Sequence, residues 1–319
     1  MGTAIDVELG VNRAESHVRR TGALLPVSVS WIHRHKVTLL SCLCLFLWLR
    51  STSAPRARAE AVGATEEELA AGAHPHPKLA GLTDLIVVAG HAVYVGNDFR
   101  QSREPGNWYL EEYQRRDGVV ESFLTHIERG VEEVSANSKA VLLFSGGATR
   151  EHAGPLSEAL SYYRVAGAAG FFGHDAAVRG RVHTEEYARD SLENLLFSLC
   201  RFHELTGGWP NNVTVVGYDF KAERFTQYHR AALDYPAQRF HYIGTPLPPD
   251  VEAGAVAGEH EVISSWADDP YGCGQTLRGK REARDPFARG VPYIGRCASL
   301  HALLTHCGPE PYAGILPWS

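Results

Sequence analysis

Residues 140–150 read AVLLFSGGATR: five apolar residues, Ala140 to Phe144, run into the turn Ser145-Gly146-Gly147 and on to Arg150. A short unbroken apolar run closed by glycine has the look of a strand buried on both faces. Leu85 to Ala89 (LIVVA) repeats the pattern before Gly90-His91, as does Val213 to Gly217 (VTVVG) before Tyr218-Asp219, and Phe240 to Ile243 adds a fourth strand. Helical spacing fills the intervals. Val119, Val120, Phe123, Leu124, Ile127, Val131 and Val134 recur at three and four and predict a helix ending near Ala136 and Asn137. Pro155 opens a second predicted helix to about Ala166. A third runs from Glu186 through Leu192, Leu195, Leu196, Leu199 and Phe202 to Gly207-Gly208, and a fourth from Lys221 to Leu233. Strands alternating with helices pair in parallel through right-handed crossovers, so the expected fold is α/β with a doubly wound, mainly parallel sheet.

Outward from this core the chain changes character. Beyond about Pro246 helices are expected near Ala255 to Trp266 and Ala298 to Cys307, so residues 247–319 read as a helical extension packed on the sheet domain, 81–246. On the other side, residues 50–80 are rich in Ala, Pro, Gly and charge and read as a linker. Before it stands VTLLSCLCLFLWL, residues 37–49, preceded by a tail, 1–36, expected to be disordered. As a helix the thirteen residues reach about 20 Å, short of the ~30 Å hydrocarbon core of a bilayer. Arg13, Arg19, Arg20, Arg34 and Lys36 precede the run, and Arg50, Arg56 and Arg58 follow it, which biases the N-terminus toward the cytosol. The reading is a short signal anchor with the bulk of the chain lumenal, in the Golgi or endoplasmic reticulum. The alternatives are a cleaved signal cut at Ser51 to Ala54, or an apolar stretch within a tail of a cytoplasmic protein.

With 319 residues, 44% of them apolar, the chain can bury a large core or two modest ones, and no small disulfide-held fold is in question. The net charge of −6 offers nucleic acid no general attraction. Six cysteines include no C-x-x-C pair, and the histidines fall outside ligand spacing, so no metal site is assigned.

In open α/β sheets ligands bind at the carboxyl ends of the strands. Three groups of polar residues are candidates, two of them following strands and one at the start of the long helix. The first is Gly90 and His91 together with Ser145, Gly146, Gly147 and Arg150; the glycines would let backbone N–H groups approach a phosphate or carboxylate, and Arg150 would add a bidentate clamp. The alternative is a plain tight turn. The second is Glu185, Glu186, Asp190 and Asn194, with Glu186, Asp190 and Asn194 four apart on one helix face, either a solvated stripe or the acidic wall of a pocket. The third is Asp219, Lys221 and Arg224, with the two cations three apart and able to meet one anion, or simply solvated. Neither a Walker loop, a G-x-G-x-x-G fingerprint nor a G-x-S-x-G elbow is present.

Taken in order, Ser145-Gly146-Gly147, Ser157-Glu158-Ala159, Ala188-Arg189-Asp190-Ser191-Leu192-Glu193-Asn194 and Val215-Val216-Gly217 leading to Arg224 resemble the signature of the domain-of-unknown-function family that includes bacterial YdcF, SanA and ElyC. The resemblance covers about Leu85 to Ile243. His91-Ala92-Val93-Tyr94, Phe144 to Arg150, Thr184 to Asp190, Phe220-Lys221 through Arg224-Phe225 and the tail around Asp269-Pro270-Tyr271-Gly272-Cys273 are similar to a eukaryotic, largely fungal-type branch with an N-terminal anchor. The resemblance implies a Rossmann-like sheet with a polar cleft and a nucleotide-like or S-adenosylmethionine-like ligand. It also adds Glu158 to Glu185 and Asp190 as candidates for proton transfer or hydroxyl recognition. Lys221 stands where many bacterial members carry a histidine.

Two functions fit: an enzyme or binding module for an anionic, phosphate- or nucleotide-like small molecule, and a structural protein of the secretory pathway. Asn212-Val213-Thr214 is an N-glycosylation sequon, and Cys200, Cys273, Cys297 and Cys307 are an even set beyond the apolar run; both suit a lumenal domain.

Overall fold

The computed structural model describes residues 76–319. Seven strands follow one another: β1 (Asp84–Ala89), β2 (Val93–Tyr94), β3 (Trp108–Tyr109), β4 (Ala140–Ser145), β5 (Val182–Glu185), β6 (Asn212–Tyr218) and β7 (Phe240–Thr245). Five of them make one parallel sheet in the order β5-β4-β1-β6-β7, while β2 and β3 pair as a two-residue antiparallel ribbon. The winding runs outward from β1 through β4 and β5, then returns to the other side of β1 for β6 and β7. Its reversal falls between the carboxyl ends of β1 and β6, where such sheets leave a crevice. The expected α/β, Rossmann-like doubly wound architecture is what the chain forms.

Side-chain alternation decides the layers. Leu85, Val87 and Ala89 of β1, Val141 and Leu143 of β4, and Val213 and Val215 of β6 face one side of the sheet. Ile86 and Val88, Leu142 and Phe144, and Val216 and Tyr218 face the other. On the second side lie α1 (Val119–Ala136), through Phe123, Ile127 and Val131, and α2 (Glu158–Ala168), through Tyr162 and Val165. On the first lies α3 (Ser191–Thr206), which buries Leu192, Leu195, Leu199 and Phe202 and stops at Gly207, whose positive φ of 75° suits a residue without a Cβ. The C-terminal extension completes that layer with Trp266 of α4 (Pro249–Asp268), Leu277 of α5 (Gln275–Ala283), and Tyr293, Leu303 and Trp318. Two disulfides tie it down, Cys200–Cys297 to α3 and Cys273–Cys307 within the extension.

Several element limits differ from the sequence expectations. α2 starts at Glu158 rather than Pro155, because Ser157 caps it by accepting the Leu160 N–H at 2.9 Å. The helix expected from Glu186 begins at Ser191, where Asp190 accepts the Glu193 N–H at 2.9 Å. Residues 182–185 are instead the edge strand β5, and an edge strand with one polar flank lacks the apolar run that marked the others. Glu186, Asp190 and Asn194 therefore do not share a helix face. Lys221 to Leu233 is helical but irregular, with a 3₁₀ turn at Asp219–Lys221 and a π-turn at Arg224–His229. In the extension α4 starts earlier than expected, α5 was not anticipated, and 298–307 holds only the short turns Ala298–Leu300 and His301–Leu304.

Asn212, the sequon residue, lies in β6 and donates its amide to Asp84 Oδ1 at 2.8 Å, so the folded sheet already uses the nitrogen a glycan would need. The expected tail 1–36, the anchor 37–49 and nearly all of the linker lie outside the described residues. Among the described residues no helix is long and apolar enough to cross a membrane.

Candidate functional site

A cavity of about 920 Å³ opens at the reversal of the sheet. β1 delivers its edge directly: the strand ends at Ala89, and Gly90 and His91 follow into the cavity wall. β6 delivers Tyr218, then Phe220 and Lys221 on the 3₁₀ turn and Arg224 one turn later. Arg150 and Glu158 come from the segment after β4, and Asp190 and Asn194 from the start of α3. The structure thus brings Gly90, His91, Arg150, Glu158, Asp190, Asn194, Lys221 and Arg224 around one space.

Ser145, Gly146, Gly147, Glu185 and Asp219 stand apart from it. The Gly146 N–H donates to the Glu185 carbonyl at 3.0 Å and the Gly147 N–H to the Ala188 carbonyl at 2.7 Å, so neither amide is free for an anion. These glycines serve a steric purpose. A Cβ on Gly146, whose φ is 154°, would sit 2.7 Å from Glu158 Oε2, and one on Gly90 would sit 2.6 Å from Glu158 Cβ. Glu158 is buried in the room they leave, and its Oε1 accepts from Thr149 at 2.6 Å. Ser145 Oγ lies 2.8 Å from Glu185 Oε2 and 2.9 Å from Asn194 Oδ1, behind the cavity wall. Glu185 further accepts the Tyr187 N–H at 2.8 Å; burial pushes its carboxyl up to about 7 against the pull of Ser145 and the backbone amides. Asp219 is exposed, with Oδ1 packed against Gly244 of β7.

The charges around the cavity are unevenly matched. Arg150 is paired with Glu111 at 2.7 Å, Arg189 with Glu193 at 2.6 Å, and Arg224 with Glu259 of α4. Arg224 also donates to Ser191 Oγ at 3.1 Å, which in turn meets His229 Nε2 at 2.7 Å. Asp190, the helix cap, is engaged by Arg281 at 2.7 Å. Burial opposes its ionisation, but the Arg281 charge and the Glu193 amide outweigh that and hold its carboxyl below the ordinary range. Arg116, Lys221, Lys280 and Arg284 complete the cationic lining and have no carboxylate partner among the described residues.

Lys221 is the most unusual of these. Its Nζ lies 3.4 Å from His91 Nδ1, 5.3 Å from the Tyr218 ring centroid and 5.6 Å from that of Phe220. Burial and then the neighbouring Arg224 charge bring its ammonium down to about 7. His91 stacks on Tyr218 at 4.7 Å, and desolvation followed by the Lys221 charge keeps its imidazole neutral. His126 of α1 stands edge-on to both rings, neutral for the same reasons, with neither nitrogen hydrogen-bonded among the described residues.

The sequence reading did not single out Lys280, Arg284, Glu259, Tyr113 or Arg116. Residues 278–284, RGKREAR, are a dense basic run that a solvated helix would carry equally well. Only docking of the extension turns Lys280 and Arg284 into cavity lining.

A Saccharomyces cerevisiae protein described as "Uncharacterized protein YOR238W" is 25% identical to this chain over 260 residues, covering 66% of this chain and 86% of the yeast one. No protein-family model matches the chain. No solved structure matches it either.

Proposed function

We propose that this protein binds an anionic small molecule, phosphate-bearing and of nucleotide-like size, in the cavity at the carboxyl ends of β1 and β6. The observation that carries the reading is the convergence of Lys221 and Arg284, partly buried and without carboxylate partners among the described residues, on about 920 Å³ of space whose exposed rim adds Arg116 and Lys280. Unpaired positive charge at a partly desolvated wall is favourable only when an anion completes it. Aromatic surface on Tyr113, Phe220 and Tyr218 would carry the rest of the ligand. The surplus of positive charge favours a phosphate over the sulfonium of S-adenosylmethionine.

Membership of the YdcF-like family belongs to the same proposal. So does a membrane anchor at 37–49 that leaves the domain in the secretory pathway. The pairing of all four cysteines beyond the anchor supports an oxidising compartment.

The test is a panel of adenosine and uridine diphosphates, a nucleotide sugar, inorganic phosphate and S-adenosylmethionine, read by thermal stabilisation and calorimetry. At least one phosphate compound is expected to raise the melting temperature. The double substitution Lys280→Gln/Arg284→Gln should weaken its binding by tenfold or more, about 1.4 kcal/mol. Stabilisation by none of the phosphates, or binding indifferent to the double substitution, would sink the proposal.

A further inference from the structure

Lysine is scarce in this chain. Five lysines, Lys36, Lys78, Lys139, Lys221 and Lys280, stand against 26 arginines, yet one of them occupies the switch point of the sheet among arginines. An arginine there would serve an anion better, since its fork binds phosphate bidentately and never loses its proton. What lysine can do and arginine cannot is act as a nucleophilic amine. We propose that Lys221 is the nucleophile of the cavity and forms an imine with the aldehyde or ketone group of a phosphorylated ligand. The inference rests on the anion-binding reading above and adds a carbonyl to that ligand.

The surroundings of Nζ suit this. His91 meets it from the loop after β1 through Nδ1, and His126 approaches from α1. Tyr218 and Phe220 close one side with ring faces. Arg224 and Arg284 bring positive charge from the next turn and from the end of α5, against which Glu259, already committed to Arg224, and Glu158 act. An amine desolvated beside other cations is held partly unprotonated at neutral pH, one way proteins activate lysine. Burial and the Arg224 charge, which bring the Lys221 ammonium down to about 7, act in this direction.

The bonds balance without a redox partner. The Nζ lone pair attacks the carbonyl carbon, the C–O π bond breaks, and a proton passes from nitrogen to oxygen to give a carbinolamine. Loss of a second proton from nitrogen and of hydroxide from carbon, joining as one water, leaves the C=N bond. His91, with Nδ1 at 3.4 Å and its imidazole kept neutral, is placed to accept an N–H of Nζ and orient the amine, while the proton passes between nitrogen and oxygen within the carbinolamine.

The experiment uses pyridoxal 5′-phosphate as probe, sodium borohydride to reduce any imine, and peptide mass spectrometry to locate it on the intact protein. Pyridoxine 5′-phosphate, which has the phosphate but no aldehyde, is the binding control. Expected is an adduct on Lys221 at least about tenfold above Lys78, Lys139 and Lys280 at pH 7, because an ordinary lysine is almost wholly protonated there. Its yield should level off above pH 7 to 8, whereas that of the other lysines keeps rising. Lys221→Arg should keep phosphate binding and lose the adduct. Stabilisation by pyridoxine 5′-phosphate with labelling no greater at Lys221 than elsewhere overturns the imine and leaves the anion site standing. Selective labelling of Lys221 that pyridoxine 5′-phosphate neither competes for nor matches in thermal stabilisation upholds the amine's reactivity and overturns the anion reading.

Discussion

Glu185 carries a buried carboxyl at the end of β5, held by Ser145, two backbone amides and the Tyr293 hydroxyl at 3.3 Å. Its value of about 7 in the folded chain lies above the unfolded one, about 4.3. Between those limits the folded state holds a proton that the unfolded state has released, so Glu185 makes stability fall as pH rises from about 4 to 7, by on the order of 3 kcal/mol in all. Urea titrations of wild type and Glu185→Gln should therefore diverge. Wild type should lose stability relative to the variant as the buffer moves from pH 5 to pH 8, and a pH-independent difference would contradict the burial argument. Little of this was readable beforehand. The sequence places Glu185 in the acidic group at the start of the long helix, but its partner Ser145 lies forty positions away, and whether the pair faces ligand or core depends on the register of β4 against β5.

Among the elements, α3 illustrates how a local signal can be right in kind and misplaced in position. The Leu192, Leu195, Leu199 and Phe202 spacing identified a helix, and Gly207 its end, because both depend on residues a few places apart. Its start depended on a choice among several acidic residues. Asp190 won because its carboxylate both caps Glu193 N–H and meets Arg281 from α5, a contact no local pattern contains. Asp190→Ala removes a cap, typically about 1 kcal/mol, and leaves Arg281 to Glu193 alone. The expected loss is about 3 kcal/mol in chemical denaturation, toward the range for breaking a buried ion pair. A loss below 1 kcal/mol would show that Glu193 already neutralises Arg281. The irregular turns after β6 had no such local signature. The π-turn at Arg224–His229 inserts one extra residue per turn, and it aims Arg224 at Glu259 and Ser191 while His229 is buried against Trp266 at 4.6 Å.

For the whole molecule the decisive fact is that one face of the sheet is covered jointly by α3 and the C-terminal extension. Trp266, Tyr271, Leu277, Tyr293, Leu300, Leu303, Leu316 and Trp318 belong to the same buried cluster as Val87 and Val215. A chain ending at residue 246 would expose that face and is expected to lose cooperative unfolding. The Cys200–Cys297 bridge spans 97 residues, and closing a loop of that length constrains the unfolded chain by about 4.7 kcal/mol. Reductant should lower the melting temperature accordingly. Denatured, unreduced protein should present at most the thiols of Cys42 and Cys44; four additional thiols would remove the support for an oxidising compartment.

Apolar runs of five residues closed by a glycine turn, Leu85 to Ala89 and Ala140 to Phe144, with the similar Val213 to Gly217, pointed to a parallel sheet from the sequence alone, since strands buried on both faces are predominantly apolar. They determined equally that polar side chains gather where those runs end. Which of these side chains face a ligand was decided only by tertiary structure. Strand order set the crevice between β1 and β6, the register of β4 and β5 turned Ser145 and Glu185 inward, and docking of the extension matched Arg224 to Glu259 while bringing Lys280 and Arg284 to the opening. The physical reason is range. Strand and helix patterns arise from neighbours within a few residues, whereas the charge state and direction of a buried side chain depend on partners 35 to 130 residues away.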